Sequence, residues 1–292
     1  MRILLFLLTN LAVMLVVGVV WRLLGFESLL QSNGVDLNFN ALLVLCGLFG
    51  MLGSLFSLFI SKWSAKRGTG TRIIETPANR DEEWLVQTVR QLADNAGIGM
   101  PEVGIWQSEA PNAFATGWNR NNALVAVSTG LLKRMKPDEV RAVMAHEIGH
   151  VANGDMITLA LVQGVVNTFV MFFSRVIGHT IDRVIFKNER GLGMGYWIGT
   201  FFAQILLSVL AAMIVMWFSR YREYRADAAG ADLAGRMNMI AALRRLKAES
   251  ERPSDLPDEL TAFGISPSGS SMRRFFASHP PLDQRIEALQ NR

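Results

Sequence analysis

Two histidines and a glutamate form the pattern in this sequence that is best suited to chemistry. His146, Glu147 and His150 stand in the order H-E-x-x-H. Four residues advance an α-helix by about 400°, so both imidazoles project from nearly the same face and can bind one metal ion. Glu147 is placed beside them to take a proton from a water molecule that the metal activates. The pattern predicts a zinc-dependent hydrolase in which Glu147 is catalytic.

A catalytic zinc site usually has three protein ligands and keeps one position for water, so this pattern leaves one ligand to be found. Glu223 is the best candidate, and it begins the segment EYRAD, residues 223–227. Small residues within and directly after this segment would allow two helices to approach each other closely. Asp227 lies four residues further on the same helical face and can hydrogen-bond a ligand imidazole. A solvated charged helix face is the alternative. We expect one zinc ion per chain, bound by His146, His150 and Glu223.

The residues around the metal pattern predict the elements that position it. Pro137 suits the first turn of a helix, which we expect to carry both histidines and to end near Asn153 and Gly154. Upstream, apolar side chains at helical spacing predict an amphipathic helix over residues 81–95. Short apolar runs predict strands over residues 103–106, 113–116 and 123–127. We expect these strands to form a small antiparallel sheet.

One of these strands is a candidate for substrate binding. Asn112, Ala113, Phe114 and Ala115 follow Pro111 and have the small and aromatic side chains that suit an exposed edge strand. An extended peptide could add to such an edge by main-chain hydrogen bonds. A plain core strand or loop is the alternative.

His279 is a second catalytic candidate. Pro280 and Pro281 follow it and stiffen the backbone. Its imidazole could stabilise the oxyanion of a tetrahedral intermediate, or bind zinc reversibly in a resting state. A helix-entry residue that is bonded only to the backbone is the alternative.

The composition indicates a membrane protein. Of the 292 residues, 50% are hydrophobic and 18% are charged, which excludes a disordered chain. Runs of 18 residues or more without a charge cover residues 3–20, 41–60 and 196–218 and are long enough to span a bilayer. No small-x-small cleavage site follows the first run, so we interpret it as an uncleaved helix rather than a signal peptide. A fourth run, residues 158–177, carries polar residues, so a buried or interfacial helix is the alternative to a span.

Basic residues predict the orientation of the chain. Four of them follow the second run and four follow the last, which places the amino terminus and the metal pattern in the cytoplasm by the positive-inside rule. The connector over residues 175–195 also contains four basic residues, yet it would be external if both flanking segments span. Because the net charge of +4 is explained by topology signals, a nucleic-acid partner is not expected.

These signals divide the chain into three parts. Residues 1–61 are predicted to form two transmembrane helices, and residues 158–218 the third and fourth hydrophobic segments. Residues 62–157 and 219–292 are predicted to form one discontinuous cytoplasmic metalloprotease domain, with a mobile loop over residues 249–272. Glu223 lies five residues beyond Phe218, about 7.5 Å along a helix, so we expect the zinc just beneath the membrane surface.

Taken together, H-E-x-x-H, EYRAD at 223–227, NAFATG at 112–117 and SHPP at 278–281 resemble the HtpX family of membrane zinc endopeptidases, relatives of the CAAX prenyl endopeptidases. The resemblance covers essentially the whole chain. It implies a mainly α membrane protein with a cytoplasmic α+β, gluzincin-like metalloprotease domain. It also implies a role in protein quality control and stress response, with damaged or misfolded membrane proteins as substrates in the bacterial inner membrane, and self-cleavage as a further possibility.

Two other functions remain to be weighed. An intramembrane protease would immerse its H-E-x-x-H in lipid, but Asp138, Glu139 and Arg141 lie within two turns of the motif and disfavour immersion. A membrane scaffold or holdase that retains zinc without proteolysis is the non-enzymatic alternative. The intact Glu147 argues against it, because a scaffold needs no proton acceptor beside the metal.

Overall fold

The structure is a computed structural model and describes residues 15–16, 18–20, 22–32, 34, 37–250 and 279–292. The predicted hydrophobic run over residues 3–20 falls largely outside these residues, and so does the predicted mobile loop from residue 251 onward. Glu249 and Ser250, which we expected to begin that loop, instead complete a helix.

Helices form most of the described chain, and one short sheet lies between them. The helices are α1 (Phe26–Ser32), α2 (Phe39–Thr69), α3 (Arg80–Asn95), α4 (Thr129–Arg134), α5 (Pro137–Asn153), α6 (Asp155–Thr180), α7 (Met194–Ala234), α8 (Arg236–Ser250) and α9 (Leu282–Gln290). The strands are β1 (Arg72–Ile73), β2 (Glu102–Trp106), β3 (Ala113–Asn119) and β4 (Asn122–Ser128). A π-helical turn, Ile181–Ile185, continues α6.

The chain divides into two units. The helical unit comprises Met1–Ser57 and Thr158–Val215, and the sheet unit comprises Leu58–Ile157 and Met216–Arg292. Among the described residues, three helical stretches are long and apolar enough to cross a membrane: Phe39–Thr69, Asp155–Ile185 and Met194–Ala234. They contain the predicted runs over residues 41–60, 158–177 and 196–218.

Small residues bring α2 and α6 together within the helical unit. A Cβ atom on Gly50 would lie 2.8 Å from the main-chain nitrogen of Thr168, and one on Gly164 would lie 2.6 Å from Oγ of Ser54. Larger side chains at these positions would push the helices apart. This contact is typical of membrane helices, in which small residues allow close backbone packing.

The sheet is mixed, with the strand order β1-β2-β4-β3. The predicted antiparallel sheet was wrong for its central pair, because β2 and β4 run parallel while β1–β2 and β3–β4 are antiparallel. The chain reverses direction between β2 and β3 and again in the short turn between β3 and β4, so β4 runs in the same direction as β2. In the sheet, β4 lies between β2 and β3. Six of the seven residues of β4 are buried, as expected for a central strand with a continuous apolar run.

Helices α3 and α5 pack against one face of the sheet and build the main core. Leu85, Val89 and Leu92 of α3 are fully buried there, together with Val125 and Ile148 from β4 and α5. Both helices confirm the predicted ones to within one residue. Helix α5 begins with Pro137 at its first turn and ends at Gly154, whose φ of 70° provides the left-handed cap.

Candidate metal centre

Three side chains converge where α5 faces α7. Nε2 of His146 lies 3.5 Å from Oε2 of Glu223, and Nε2 of His150 lies 3.3 Å from Oε1 of the same carboxylate. Ligand atoms about 2.0–2.1 Å from a tetrahedral metal are separated from one another by about 3.4 Å. The distances therefore fit a metal ion held by two imidazoles and one carboxylate.

Small residues allow the two helices to approach closely enough for this arrangement. A Cβ atom on Gly149 would lie 2.9 Å from Cβ of Ala229 and 3.2 Å from the carbonyl oxygen of Ala226. A Cβ atom on Gly230 would lie 3.2 Å from the main-chain nitrogen of His146. Glu223 reaches the histidines because neither helix carries a bulky side chain at the crossing.

Asp227 supports the first histidine and is itself fixed by an arginine. Its Oδ1 lies 2.9 Å from Nδ1 of His146. Arg285, from α9, donates to both carboxylate oxygens of Asp227, over 2.7 and 2.6 Å, and also lies 3.4 Å from Glu223. All four side chains are buried. A carboxylate on Nδ1 keeps the proton on that nitrogen and leaves the Nε2 lone pair for a metal.

Asp155 supports the second histidine, which sequence reasoning did not foresee. Nδ1 of His150 donates to Oδ2 of Asp155 over 2.7 Å. The main-chain oxygen of Asp155 accepts a hydrogen bond from Arg222, which also donates to Ser219. A usable signal was present, because Asp155 directly follows the glycine that ends the H-E-x-x-H helix.

The carboxylates around the site change the protonation of its imidazoles. Burial lowers the pKa of His150, but hydrogen bonds to Asp155 and Glu223 outweigh burial and raise this pKa to about 10. Burial also lowers the pKa of His146, and contacts with Asp227 and Glu223 again give a net rise. A metal ion must therefore displace protons from the imidazoles, so metal affinity should increase with pH.

The two predicted catalytic side chains lie at the same site. Glu147 is half-buried, makes no side-chain hydrogen bond within the described part of the chain, and acts electrostatically on His150 and Arg285. Nδ1 of His279 donates to Oε2 of Glu223 over 2.7 Å, and about half of the His279 side chain is exposed. The imidazole of His279 is thus hydrogen-bonded to Glu223, a candidate metal ligand.

The predicted substrate strand lies at the edge of the sheet. Strand β3 contains Ala113, Phe114 and Ala115, and Asn112 directly precedes it. Among the described residues β3 pairs only with β4, which makes it an edge strand of this sheet. The register shifts between Gly117 and Asn119, where a β-bulge ends the regular pairing. Asn112 exchanges hydrogen bonds with Ser128, which fixes the start of the strand.

Known proteins that are similar to this chain indicate its family. The family model of peptidase family M48 matches residues 79–292. Protease HtpX of Pseudomonas fluorescens (strain Pf0-1) is 63% identical over 293 residues, covering 100% of this chain and 99% of the relative. Protease HtpX of Pseudomonas putida (strain W619) is 62% identical with the same coverage. Both relatives therefore match this chain from end to end.

A solved structure shares the fold. The crystal structure of Ste24p from S. mikatae matches with a TM-score of 0.61 and 19% identity, covering 95% of this chain and 67% of that one. Because the family consists of proteases, a scaffold without proteolysis is not favoured. The mainly helical fold with its small mixed sheet, the three long apolar helices and the matches over most of the sequence lead to one conclusion: the chain belongs to peptidase family M48, as a membrane-bound metalloprotease of the HtpX type.

Proposed function

We propose that this protein is a zinc-dependent endopeptidase that hydrolyses damaged or misfolded membrane proteins. The observation that carries the proposal is the cluster of His146, His150 and Glu223, whose side chains face one another. The Nδ1 atom of each histidine lies beside a carboxylate, and Glu147 is adjacent to the cluster. Two imidazoles and one carboxylate are typical of catalytic zinc sites that keep a fourth position open. When bound, zinc supplies Lewis-acid chemistry that acidifies a water molecule and polarises the scissile carbonyl group.

The side chains of this chain perform the proton transfers and fix the geometry. Glu147 accepts a proton from the attacking water and donates it to the leaving amine. Asp227 and Asp155 hold the two imidazoles in the orientation that directs Nε2 inward. Arg285 holds Asp227 through two hydrogen bonds and balances part of the negative charge of the site.

The position of His279 is compatible with either of its two expected roles. Its ring could turn from Glu223 to a developing oxyanion, or it could bind zinc reversibly in a resting enzyme. Replacing His279 with Ala distinguishes these roles. Loss of turnover with unchanged metal affinity supports oxyanion stabilisation, whereas a faster onset of cleavage after metal addition supports a resting-state switch.

We assign substrate binding to the outer edge of β3, which among the described residues pairs only with β4. The main chain of Asn112, Ala113, Phe114 and Ala115 would pair with an extended peptide, which suits unfolded segments because their backbone groups are unpaired. Self-cleavage is expected where an unpaired segment of another copy reaches the site.

We further propose that the chain lies in the bacterial inner membrane with its site facing the cytoplasm. This placement follows the domain division expected from sequence: two transmembrane helices within residues 1–61, the third and fourth hydrophobic segments within residues 158–218, and the metalloprotease domain over residues 62–157 and 219–292. Trp217 and Tyr221 of α7 are exposed, and Glu223 follows within two turns. Exposed aromatic side chains at the end of an apolar helix are typical of the lipid interface, so the metal would lie close to the membrane surface.

Purified full-length protein tests the proposal. The protein is prepared with a chelator, zinc is added, and cleavage of an unfolded soluble protein and of a misfolded membrane protein is followed. Zinc-dependent cleavage that prefers the membrane substrate supports the proposal. Tight zinc binding without cleavage of either substrate contradicts the catalytic part, and cleavage of the soluble substrate alone contradicts the substrate class.

A further inference from the structure

The connector between α6 and α7 presents an apolar surface that the protease function does not use. We call residues 181–197 of the helical unit the connector tip. Six of its large apolar side chains are exposed: Val184, Ile185, Phe186, Leu192, Met194 and Trp197. Water-soluble surfaces rarely expose so many neighbouring apolar side chains, and those that do usually bind a partner or a membrane.

Hydrogen bonds within the connector tip hold these side chains outward. The carboxylate of Asp182 is almost fully buried and accepts hydrogen bonds from the Asn188 side chain and the Gly193 main chain, both over 2.9 Å. Arg183 donates to the carbonyl oxygens of Asn188 and Gly191. The apolar side chains therefore belong to an ordered structure and are not the result of an extended, unpaired loop.

The basic residues in and just before the connector tip fall into two groups, those with a side-chain hydrogen bond among the described residues and those without one. Arg175 donates to the carbonyl oxygen of Met171, and Arg183 is bonded within the tip. Lys187 and Arg190 are exposed and make no side-chain hydrogen bond or ion pair within the described part of the chain. Glu189 is the exposed carboxylate between them. Two cations thus remain beside the apolar side chains.

We propose that the connector tip docks on the lipid interface, with its apolar side chains among the upper acyl chains and with Lys187 and Arg190 on phosphates of anionic phospholipids. A lipid partner is favoured because the tip continues directly from two helices that are long and apolar enough to cross a membrane. Trp197 has the amphipathic ring that prefers the headgroup region. Exposed cations next to an apolar patch match the charge of phospholipid phosphates.

Two methionines provide a matched test of the apolar contact. Met194 in the tip and Met237 in the sheet unit are each 69% exposed. Full-length protein that carries Cys46→Ala receives either Met194→Cys or Met237→Cys, is spin-labelled, and is reconstituted into vesicles of phosphatidylcholine and phosphatidylglycerol. Collisions of each label with oxygen and with a water-soluble nickel complex are measured by electron paramagnetic resonance.

The proposal predicts that the label at position 194 meets oxygen more often and nickel less often than the label at position 237. Equal access of nickel to both labels would overturn it. Protection at position 194 that increases with the protein-to-lipid ratio would also overturn it, because a second copy of the chain would then be the partner.

The phosphate contact has its own readout. A fluorophore at position 194 is quenched by brominated phosphatidylglycerol or brominated phosphatidylcholine, and the ratio gives the preference for the anionic lipid. Lys187→Gln and Arg190→Gln should each lower this ratio about fivefold. Glu189→Gln, the matched control, should raise it. A quenching ratio that neither Lys187→Gln nor Arg190→Gln changes would contradict the phosphate contact.

Discussion

Asp155, the first residue of α6, accepts a hydrogen bond from Nδ1 of His150 over 2.7 Å. This contact has a counterpart on the other side of the site, where Asp227 lies 2.9 Å from Nδ1 of His146. An arginine in turn binds each aspartate: Arg285 binds the carboxylate of Asp227, and Arg222 binds the main-chain oxygen of Asp155. Each imidazole is therefore fixed by two further residues, which come from different helices.

Removing the charge of either aspartate should weaken metal binding. Asp155→Asn and Asp227→Asn are each expected to lower zinc affinity by about 10–100-fold, because the amide no longer holds the proton on Nδ1 as strongly. Competition with a chromophoric chelator measures this affinity directly.

Asp232→Asn is the matched control for these two variants. Asp232 lies on the same helix as Asp227 and pairs with Arg292 at the surface. Its replacement should leave zinc affinity unchanged. Unchanged zinc affinity in Asp155→Asn would show that Asp155 does not support the metal ligand.

Glu147→Gln should abolish proteolysis without removing the metal. General acid–base catalysis contributes roughly 10²–10⁴-fold, so the initial rate of substrate cleavage should fall by at least about 100-fold. Metal content, measured by mass spectrometry of the purified variant, should match that of the unchanged protein. His146→Ala is the complementary variant and should lose both metal and activity. Normal cleavage by Glu147→Gln would refute the assignment of the proton acceptor.

Gly149→Ala should separate the two metal-binding helices. The added methyl group would lie 2.9 Å from Cβ of Ala229, so α7 must move away and carry Glu223 with it. Overpacking of this kind costs about 1–3 kcal/mol. We expect a lower melting temperature and zinc binding that is weaker by about fivefold or more.

Gly68→Ala provides the comparison. Gly68 lies in α2, and a methyl group added there would meet no neighbouring atom within 4 Å, so this substitution should raise the melting temperature slightly. A loss of zinc affinity in Gly68→Ala equal to that in Gly149→Ala would rule out helix separation as the cause.

Glu82 should make stability depend on pH. A hydrogen bond from Arg72, together with one from the main chain of Ala78, holds the pKa of this buried carboxyl below its ordinary value. A lowered carboxyl pKa stabilises the fold above the pKa of the unfolded chain, and this contribution disappears as the pH falls through the folded-state pKa. Glu82→Gln should therefore cost about 1–2 kcal/mol at pH 7 and progressively less below about pH 4.

Thermal melts in detergent across this pH range measure the effect. Glu83→Gln, at the neighbouring exposed position, should melt like the unchanged protein at every pH. A destabilisation by Glu82→Gln that persists unchanged at low pH would show that packing, rather than charge, is responsible.

Local sequence patterns predicted the elements that carry the site better than they predicted its outer contacts. The spacing of His146 and His150 fixes their common helix face, and the run of small residues after Glu223 indicates close helix packing. Arg222 and the main-chain oxygen of Asp155 lie 67 residues apart in sequence, so no local spacing reveals their contact. The parallel pairing of β2 and β4 was missed for another reason: apolar runs predict where strands lie along the chain, but they do not show that β4 inserts between β2 and β3.

The β-bulge in β3 would limit the length of a peptide that could pair with this edge. Regular pairing extends from Ala113 to Gly117 before the register shifts, which is about 17 Å of extended chain. A peptide that paired along this whole edge would have to expose about five consecutive residues with unpaired backbone groups, and a segment that is still part of a helix or a sheet could not offer them. Such an edge would select damaged proteins because their backbone is locally unfolded, and it would depend little on the identity of their side chains.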